Sequence, residues 1–309
     1  MNTGLHRFFV PPSILGGERV ALSGEQAHQM SRVLRLKVGD RVVLLDGAGQ
    51  EYRVKLDDVR SAAVAGAVET VRASRPEPGL HLTLYQALVP RDRFETVLQK
   101  GTEVGISRFV PVWCERSIVP RGDQLDERRL ERWRRIVTEA AEQCERGRVP
   151  EIAAPVRFGR ALEEVAGRPA LLAWERETER SLRDGLRAAL GEYASPSTVV
   201  TSTSASTMTD AMRELSVMGA PHQPPGAPNC STSSATRALG LLIGPEGGFS
   251  ATEIDAAREA GVITVSLGPR IFRTETAGPV LAALALYEAG DLAPHLPRAG
   301  LPLPDRTSR

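Results

Sequence analysis

Leu241 to Tyr287 reads LLIGPEGGFSATEIDAAREAGVITVSLGPRIFRTETAGPVLAALALY, and this stretch decides the fold. Two short apolar runs, Leu239 to Ile243 and Val262 to Leu267, carry β-branched residues, and each stops at a glycine. That is the pattern of fully buried parallel strands rather than helices. After the first run, Gly244, Gly247 and Gly248 stand where a backbone must bend sharply or let a ligand come close. Ser250 and Glu253 then form a capping box, with Phe249 and Ile254 as a hydrophobic staple, so a helix is predicted from Ala251. Amides at such a helix start can meet a polar ligand. No Lys-Ser/Thr pair follows Gly248 and the order is GPEGG, so neither the Walker A nor the dinucleotide pattern fits.

The second turn, Leu267-Gly268-Pro269-Arg270, leads into Ile271-Phe272-Arg273-Thr274-Glu275-Thr276-Ala277. Two glycine turns at the carboxyl ends of neighbouring strands, followed by a polar and basic loop, define one crevice of the kind in which α/β sheets bind ligands. IGPEGGFS with TEI, and LGPRIFRTETA, resemble the signature motifs of the RsmE family, which methylates a uridine of small-subunit ribosomal RNA. Further segments resemble family motifs in family order: Arg7-Phe8-Phe9, His28 to Asp46, Lys100 to Glu103, Glu115-Arg116-Ser117, Glu139 to Cys144 and Val149 to Ile152. Two positions depart from the pattern. Cys144 is followed by Glu145 where the family has glycine after a Ser or Cys, and Gly278-Pro279 follows Ala277 where the family's helix continues without proline. Proline is tolerated in a first helical turn, so the second departure predicts a shifted helix start.

Composition agrees with this reading without demanding it. The 309 residues suffice for two cores, and a formal net charge of +1 means that any RNA must be held by a local basic patch. Cys114, Cys144 and Cys230 form no CxxC pair and no metal spacing, which predicts reduced thiols and no metal. No long apolar run or signal segment appears, so a cytoplasmic protein without a membrane span is expected.

Arg41 to Asp46, Tyr52 to Val59 and Ala62 to Val71 are short alternating segments punctuated by Asp46-Gly47-Ala48-Gly49, the pattern of a small antiparallel β-barrel. From His81 onward strands and helices alternate: strands at His81 to Val89, Phe109 to Cys114 and Ala170 to Trp174, helices at Arg93 to Val104, Arg128 to Glu145 and Ser181 to Leu190. Such alternation predicts a parallel α/β sheet. In the segment 194–236 Ser, Thr and Pro make up about half of the residues, too little apolar surface to offset the entropy of ordering. The resemblance implies that 1–74 form a PUA-like RNA-binding β-barrel. It implies that 78–293 form a SPOUT α/β methyltransferase domain with a C-terminal deep trefoil knot. Residues 194–236 are then a flexible insertion and 294–309 a flexible tail.

For RNA, the expected contacts are Arg7, His28, Arg32, Arg35 and Lys37 from the first unit and Arg91, Arg93, Lys100, Arg116 and Arg121 from the second. Arginine grips phosphate bidentately, and Arg32 and Arg35 stand at helical spacing. The run Asp126 to Arg135 reads instead as a salt-bridged helix face that carries Trp133 into a core.

The activity implied by the resemblance is S-adenosylmethionine (SAM)-dependent methylation of a uridine N3 in 16S ribosomal RNA of the small subunit. Such a reaction needs in-line positioning and removal of a weakly acidic proton. Arg273 is the expected cation beside the developing uracil charge, and Glu275, Glu103 or Glu142 the expected base. Glu142 has Arg146 at i+4, an ordinary helical pair, whereas Glu275 has no such neighbour. SAM is expected on Leu242, Ile243, Gly244, Pro245, Gly247, Gly248, Leu267, Gly268, Ile271, Arg273, Thr274, Thr276 and Ala277. The apolar run Val280 to Leu286 predicts burial on two sides and hence a homodimer. Two alternatives stay open: a SPOUT enzyme acting on another RNA such as transfer RNA, and a catalytically silent RNA-binding assembly protein.

Overall fold

The computed structural model describes residues 5–118, 127–191 and 237–293. The segment 194–236, the tail 294–309, Arg121 and Cys230 lie outside the described residues.

Alternating apolar residues build a first sheet from β1 (His6–Phe9), β2 (Arg19–Ser23), β3 (Arg41–Leu45), β4 (Gln50–Val59) and β5 (Ala63–Ala73), in the order β1-β3-β4-β5-β2. β3, β4 and β5 form an antiparallel meander, β2 joins β5 antiparallel, and β1 runs parallel to β3. The β3–β4 turn is made by Asp46, whose Oδ1 accepts the N–H groups of Ala48, Gly49 and Gln50 at 2.7, 3.0 and 2.9 Å. Gly47 and Gly49 supply the left-handed backbone this turn requires, with φ of 71° and 116°. Val42, Leu44, Val54 and Leu56 face one core, closed by Ala27 and Met30 from the short helix α1 (Gly24–His28) and the π-turn Gln29–Val33 that continues it. Arg35 lies beyond the turn in a left-handed conformation (φ 53°), so it does not share a helical face with Arg32 as their spacing suggested.

The second sheet comprises β6 (Leu80–Ala87), β7 (Arg108–Trp113), β8 (Glu151–Ile152), β9 (Val156–Arg157), β10 (Ala170–Ala173), β11 (Arg237–Ile243) and β12 (Ile263–Val265). Every pairing is parallel; the order is β12-β10-β11-β6-β7-β8, with β9 also against β7. The five strands and four helices expected from His81 onward stand within a few residues of where they were anticipated, and β8, β9 and one helix, Phe158–Val165, were not anticipated. The helices are α2 (Arg91–Val104), α3 (Glu127–Gln143), α4 (Phe158–Val165), α5 (Leu182–Leu190), α6 (Ala251–Glu259) and α7 (Thr274–Glu288). Leu82, Leu84 and Leu241 pack with Phe94, Trp133 and Leu281 on one face of the sheet. Tyr85, Val110 and Leu242 pack with Leu162, Ile254 and Ala257 on the other. Helices on both faces explain why β11 is buried over its last five residues and reads as an unbroken apolar run.

The strand order fixes where loops meet. β11 follows β10 in the chain and pairs with both β10 and β6, while β12 returns to the outer edge. α7 then travels back to pack in the core shared by β6 and β11, so the segment before it must cross the carboxyl ends of β10 and β11. Pro279 lies inside α7, not in its first turn, and the helix starts at Thr274. The expected shift of helix start does not occur; proline there leaves the Glu275 carbonyl without its helical partner.

The two sheets meet through charge and backbone. Glu142 of α3 accepts the Phe9 N–H at 2.9 Å. Arg146 donates from Nε and Nη2 to Glu77 at 2.9 and 2.5 Å, so it does not pair with Glu142 as the i+4 spacing suggested. Glu145 takes φ 64°, the conformation a helix-ending glycine adopts, at the position where the expected motif has glycine.

Candidate active site

Three loops enclose a cavity of about 1050 Å³ at the carboxyl ends of β10, β11 and β12, lined from 173–181, 243–249 and 266–277. The first glycine turn closes with a bond from the Gly248 N–H to the Pro245 carbonyl at 2.9 Å. Gly248 has φ 68°, a left-handed conformation that favours glycine, and a Cβ there would meet the Glu175 carboxylate of the facing loop at 2.7 Å. Arg116 supports the turn from outside, donating to the Gly247 and Phe249 carbonyls at 3.1 and 3.4 Å. The capping box is formed as the sequence predicts: Ser250 Oγ accepts the Glu253 N–H at 3.2 Å and Glu253 Oε2 accepts the Ser250 N–H at 3.0 Å. Glu253 Oε1 also accepts the Glu115 N–H at 2.8 Å, tying the end of β7 to the same corner.

In the second turn Gly268 has φ 105°, with open space where a Cβ would be. In the third, Arg273 is the residue before α7, and its carbonyl accepts the N–H groups of Thr276 and Ala277. Thr274 Oγ1 accepts from Gln86 Nε2 at 3.0 Å and donates to the Gly244 carbonyl at 2.6 Å, joining β6, the first turn and α7. Arg273 is 83% exposed, with Nη1 4.0 Å from Glu275 Oε1. Glu275 lines the cavity, and its Oε2 is buried and lacks a hydrogen-bond partner among the described residues.

The cavity gathers the expected cofactor residues with two exceptions. Leu242 points to the opposite face of the sheet, packing with the α4 and α6 core, because strand neighbours alternate. Thr276 is exposed on the outer side of α7 and does not line the cavity. Of the three expected bases, only Glu275 is brought to it. Glu103 pairs with Lys100 at 2.8 Å in a groove against α3, about 15 Å along the helix axis from the cavity-lining Arg93. Glu142 is committed to the junction with β1, where burial, opposed by the Phe9 N–H, pushes its carboxyl up to about 7.

The expected RNA residues divide likewise. His28, Arg32, Arg35 and Lys37 are exposed and make no ion pair among the described residues, beside the exposed apolar side chains of Val33 and Val38. Arg7 is instead nearly buried and bonded to Glu51 at 2.5 Å, a charge pair internal to the first sheet. Lys100 is held by Glu103, Arg93 by Glu246 at 2.6 Å, and Arg116 by the glycine turn; Arg91 opens α2. The basic run reads as expected, with Trp133 buried, Arg132 on Glu95 and Arg134 on Glu127.

Sequence reasoning missed one wall. The loop between β10 and α5 supplies Trp174, Glu175, Glu177, Thr178, Arg180 and Ser181 to the cavity. Its signal was a polar run, ERETER, between an apolar strand and the Ser181 helix cap, at the same end of the sheet as the glycine turns. Among the described residues no helix is long and apolar enough to cross a membrane, and no cluster of His, Cys, Asp or Glu has the spacing of a metal site.

Comparison with known proteins agrees with this geometry. An RNA methyltransferase domain matches residues 75–201 and 192–286, and an RNA methyltransferase PUA domain matches residues 22–61. The Ribosomal RNA small subunit methyltransferase E of Synechocystis is 34% identical over 278 residues, covering 90% of this chain and 76% of the relative. That of Bacillus subtilis is 28% identical over 267 residues, covering 86% and 88%. Among solved structures, a putative methyltransferase of Legionella pneumophila in complex with SAM superposes with a TM-score of 0.70 at 27% identity, covering 93% of this chain and 98% of that one. The Ribosomal RNA small subunit methyltransferase E of Neisseria gonorrhoeae bound to SAM gives 0.68 at 26%, covering 94% and 98%. An α/β methyltransferase fold with a PUA-like amino-terminal unit, carrying the glycine turns at the carboxyl ends of its strands, makes this chain a member of the ribosomal RNA small subunit methyltransferase E (RsmE) family of RNA methyltransferases.

Proposed function

We propose that this protein transfers a methyl group from SAM to N3 of a specific uridine in 16S ribosomal RNA of the small subunit. The observation that carries the reading is the three-loop cavity, with the buried, unpartnered Glu275 oxygen and the Arg273 cation at one edge. Its residues fit the cofactor: Gly244, Gly247 and Gly248 bring backbone without side chains to the cavity wall, and Ile243, Leu267 and Phe272 offer apolar surface. When bound, SAM supplies an activated methyl group on a sulfonium. The chain's own work is to hold the uracil in line, to accept the N3 proton at Glu275, directly or through water, and to stabilise the developing charge at O2 or O4 through Arg273.

RNA is taken to lie on the His28, Arg32, Arg35 and Lys37 face, whose unpaired charges can displace counterions from phosphates. In the same reading, 1–74 are a PUA-like β-barrel and 78–293 the SPOUT domain, with the crossing segment before α7 tied as a trefoil knot. The molecule works as a cytoplasmic homodimer, paired through α7. The test is modification mapping of 16S ribosomal RNA from a strain lacking the protein. One methyluridine should vanish, returning with the wild-type gene and not with the Arg273→Ala gene. An unchanged map sinks the assignment.

A further inference from the structure

We propose that Glu177 is a positioning residue for the cofactor cavity, holding the 174–180 loop against the second glycine turn so that two walls are formed before a ligand arrives. This rests on the reading of the cavity as the SAM site. The Glu177 side chain is 5% exposed, although it stands in a loop of otherwise exposed polar residues. A carboxylate so enclosed is costly unless its oxygens are satisfied. Here both are. Oε1 accepts the N–H groups of Glu179 and Arg180 at 2.9 and 3.3 Å, folding the loop back on itself. Oε2 accepts the Thr264 hydroxyl at 2.6 Å and lies 3.4 Å from Arg258 Nη2.

Those partners decide what the carboxylate does. Thr264 belongs to β12 and Arg258 to α6, so one side chain ties the loop to the strand from which the second turn emerges and to the helix that follows the first. Backbone bonds join the same pieces at both loop ends: Trp174 N–H to the Val265 carbonyl and Ser266 N–H to the Arg180 carbonyl, each at 3.0 Å. The Arg258 guanidinium also lies over the Trp174 ring at 5.2 Å from its centre. Glu177 is the polar tie in the middle of this span. Burial alone would raise its carboxyl, yet the Thr264 hydroxyl, the two amides and Arg258 hold it below its ordinary value, so it stays charged. With its bonds turned to loop and strand, it acts on the cavity's shape.

The experiment compares full-length wild type with Glu177→Ala, Glu177→Gln and Thr264→Val by calorimetry with SAM and by steady-state kinetics. Glu177→Ala should raise both Kd and KM for SAM by about tenfold or more, with kcat at saturating SAM and KM for RNA within about threefold of wild type. Glu177→Gln keeps an acceptor for the two amides and should recover most of the affinity. Unchanged SAM affinity in folded Glu177→Ala, or a loss confined to kcat, overturns the proposal. Should Glu177→Ala not fold, Thr264→Val decides: a weaker SAM Kd supports the brace and an unaltered one overturns it. If wild type itself binds no SAM, the cavity reading fails separately. The brace is then judged from hydrogen exchange of the Glu179 and Arg180 amides, which should be about tenfold faster in Thr264→Val; equal rates overturn it.

Discussion

The Thr274 hydroxyl donates to the Gly244 carbonyl at 2.6 Å, so the first residue of α7 is fastened to the first residue of the GPEGG turn. The same oxygen accepts from the buried Gln86 amide at 3.0 Å, so β6, the first turn and the start of α7 are joined at one hydroxyl. Thr274→Val keeps the shape and removes both bonds, leaving a buried donor and a buried acceptor unpaired. The expected loss is about 1–3 kcal/mol in urea denaturation. SAM affinity should fall with it, and Thr274→Ser should restore both. Wild-type stability in the valine variant would remove this bond from the account.

Gly268 separates strain from crowding. Nothing would touch a Cβ there, yet φ is 105°, which a β-branched residue reaches only with strain of about 1–3 kcal/mol. Gly268→Val is expected to move the second turn and abolish measurable SAM binding while the first sheet keeps its thermal transition. Unaltered calorimetric affinity would take Gly268 out of the cofactor site.

Arg273 and Glu275 should affect the reaction more than binding. Arg273→Ala removes the cation beside the developing negative charge and should lower kcat by about 100-fold to 1,000-fold. Glu275→Gln keeps the shape without the basic oxygen and should lower kcat by about 100-fold or more, with SAM affinity near wild type. Full turnover by Glu275→Gln would leave the proton to water or to the RNA itself.

Glu142 gives a pH signature to the junction between the two sheets. Burial is the largest cause raising its carboxyl to about 7, the Phe9 N–H opposes it, and the neighbouring Glu139 charge adds to the rise. A folded-state value above the ordinary 4.5 means that the native protein binds more protons than the unfolded chain between about pH 4.5 and 7. Stability from this group is therefore present at the acid end of that window and declines as pH rises through it. Glu142→Gln still accepts from Phe9 and should flatten the decline, stabilising the protein at pH 8 relative to wild type. A parallel pair of stability curves would show that Glu142 does not titrate there.

Legibility followed the distance over which a signal acts. The capping box at Ser250 and Glu253, the glycine turns and the buried run of β11 are set by neighbours in sequence, and the structure has them as read. The α4 helix was readable in principle, since Phe158, Ala161, Leu162 and Val165 follow helical spacing, but no capping residue announces it. Arg7, Glu103 and Glu142 lie away from the cavity and are engaged by Glu51, Lys100 and the Phe9 amide, and two of these three partners are remote in sequence. The side chain of Leu242 lies on the face away from the cavity because strand neighbours alternate, which the run of apolar residues alone does not show. The 174–180 wall depends on which strand lies beside β12, and only the fold supplies that order.

The outer face of α7 carries the remaining prediction. Leu281, Ala282, Ala285 and Leu286 are buried against the sheet, whereas Val280, Leu284 and Tyr287 lie on the other side, Leu284 42% and Tyr287 72% exposed. An apolar stripe on the last helix is what an isologous dimer would cover, and α7 begins at the Arg273 site, so pairing there would bring two active sites near the two-fold axis. The cations His28, Arg32, Arg35 and Lys37 sit on α1, the π-turn and the loop before β3, and in a dimer the RNA held by one subunit can place its uridine in the cavity of the other. Subunits carrying Arg273→Ala, mixed with subunits carrying Arg32→Ala and Arg35→Ala, should then recover activity, because a heterodimer owns one site with both parts intact. Leu284→Glu with Tyr287→Glu should give a monomer by sedimentation and abolish the rescue. A wild-type monomer at assay concentration, or a mixture no more active than its parents, would show that each chain holds and methylates its RNA alone.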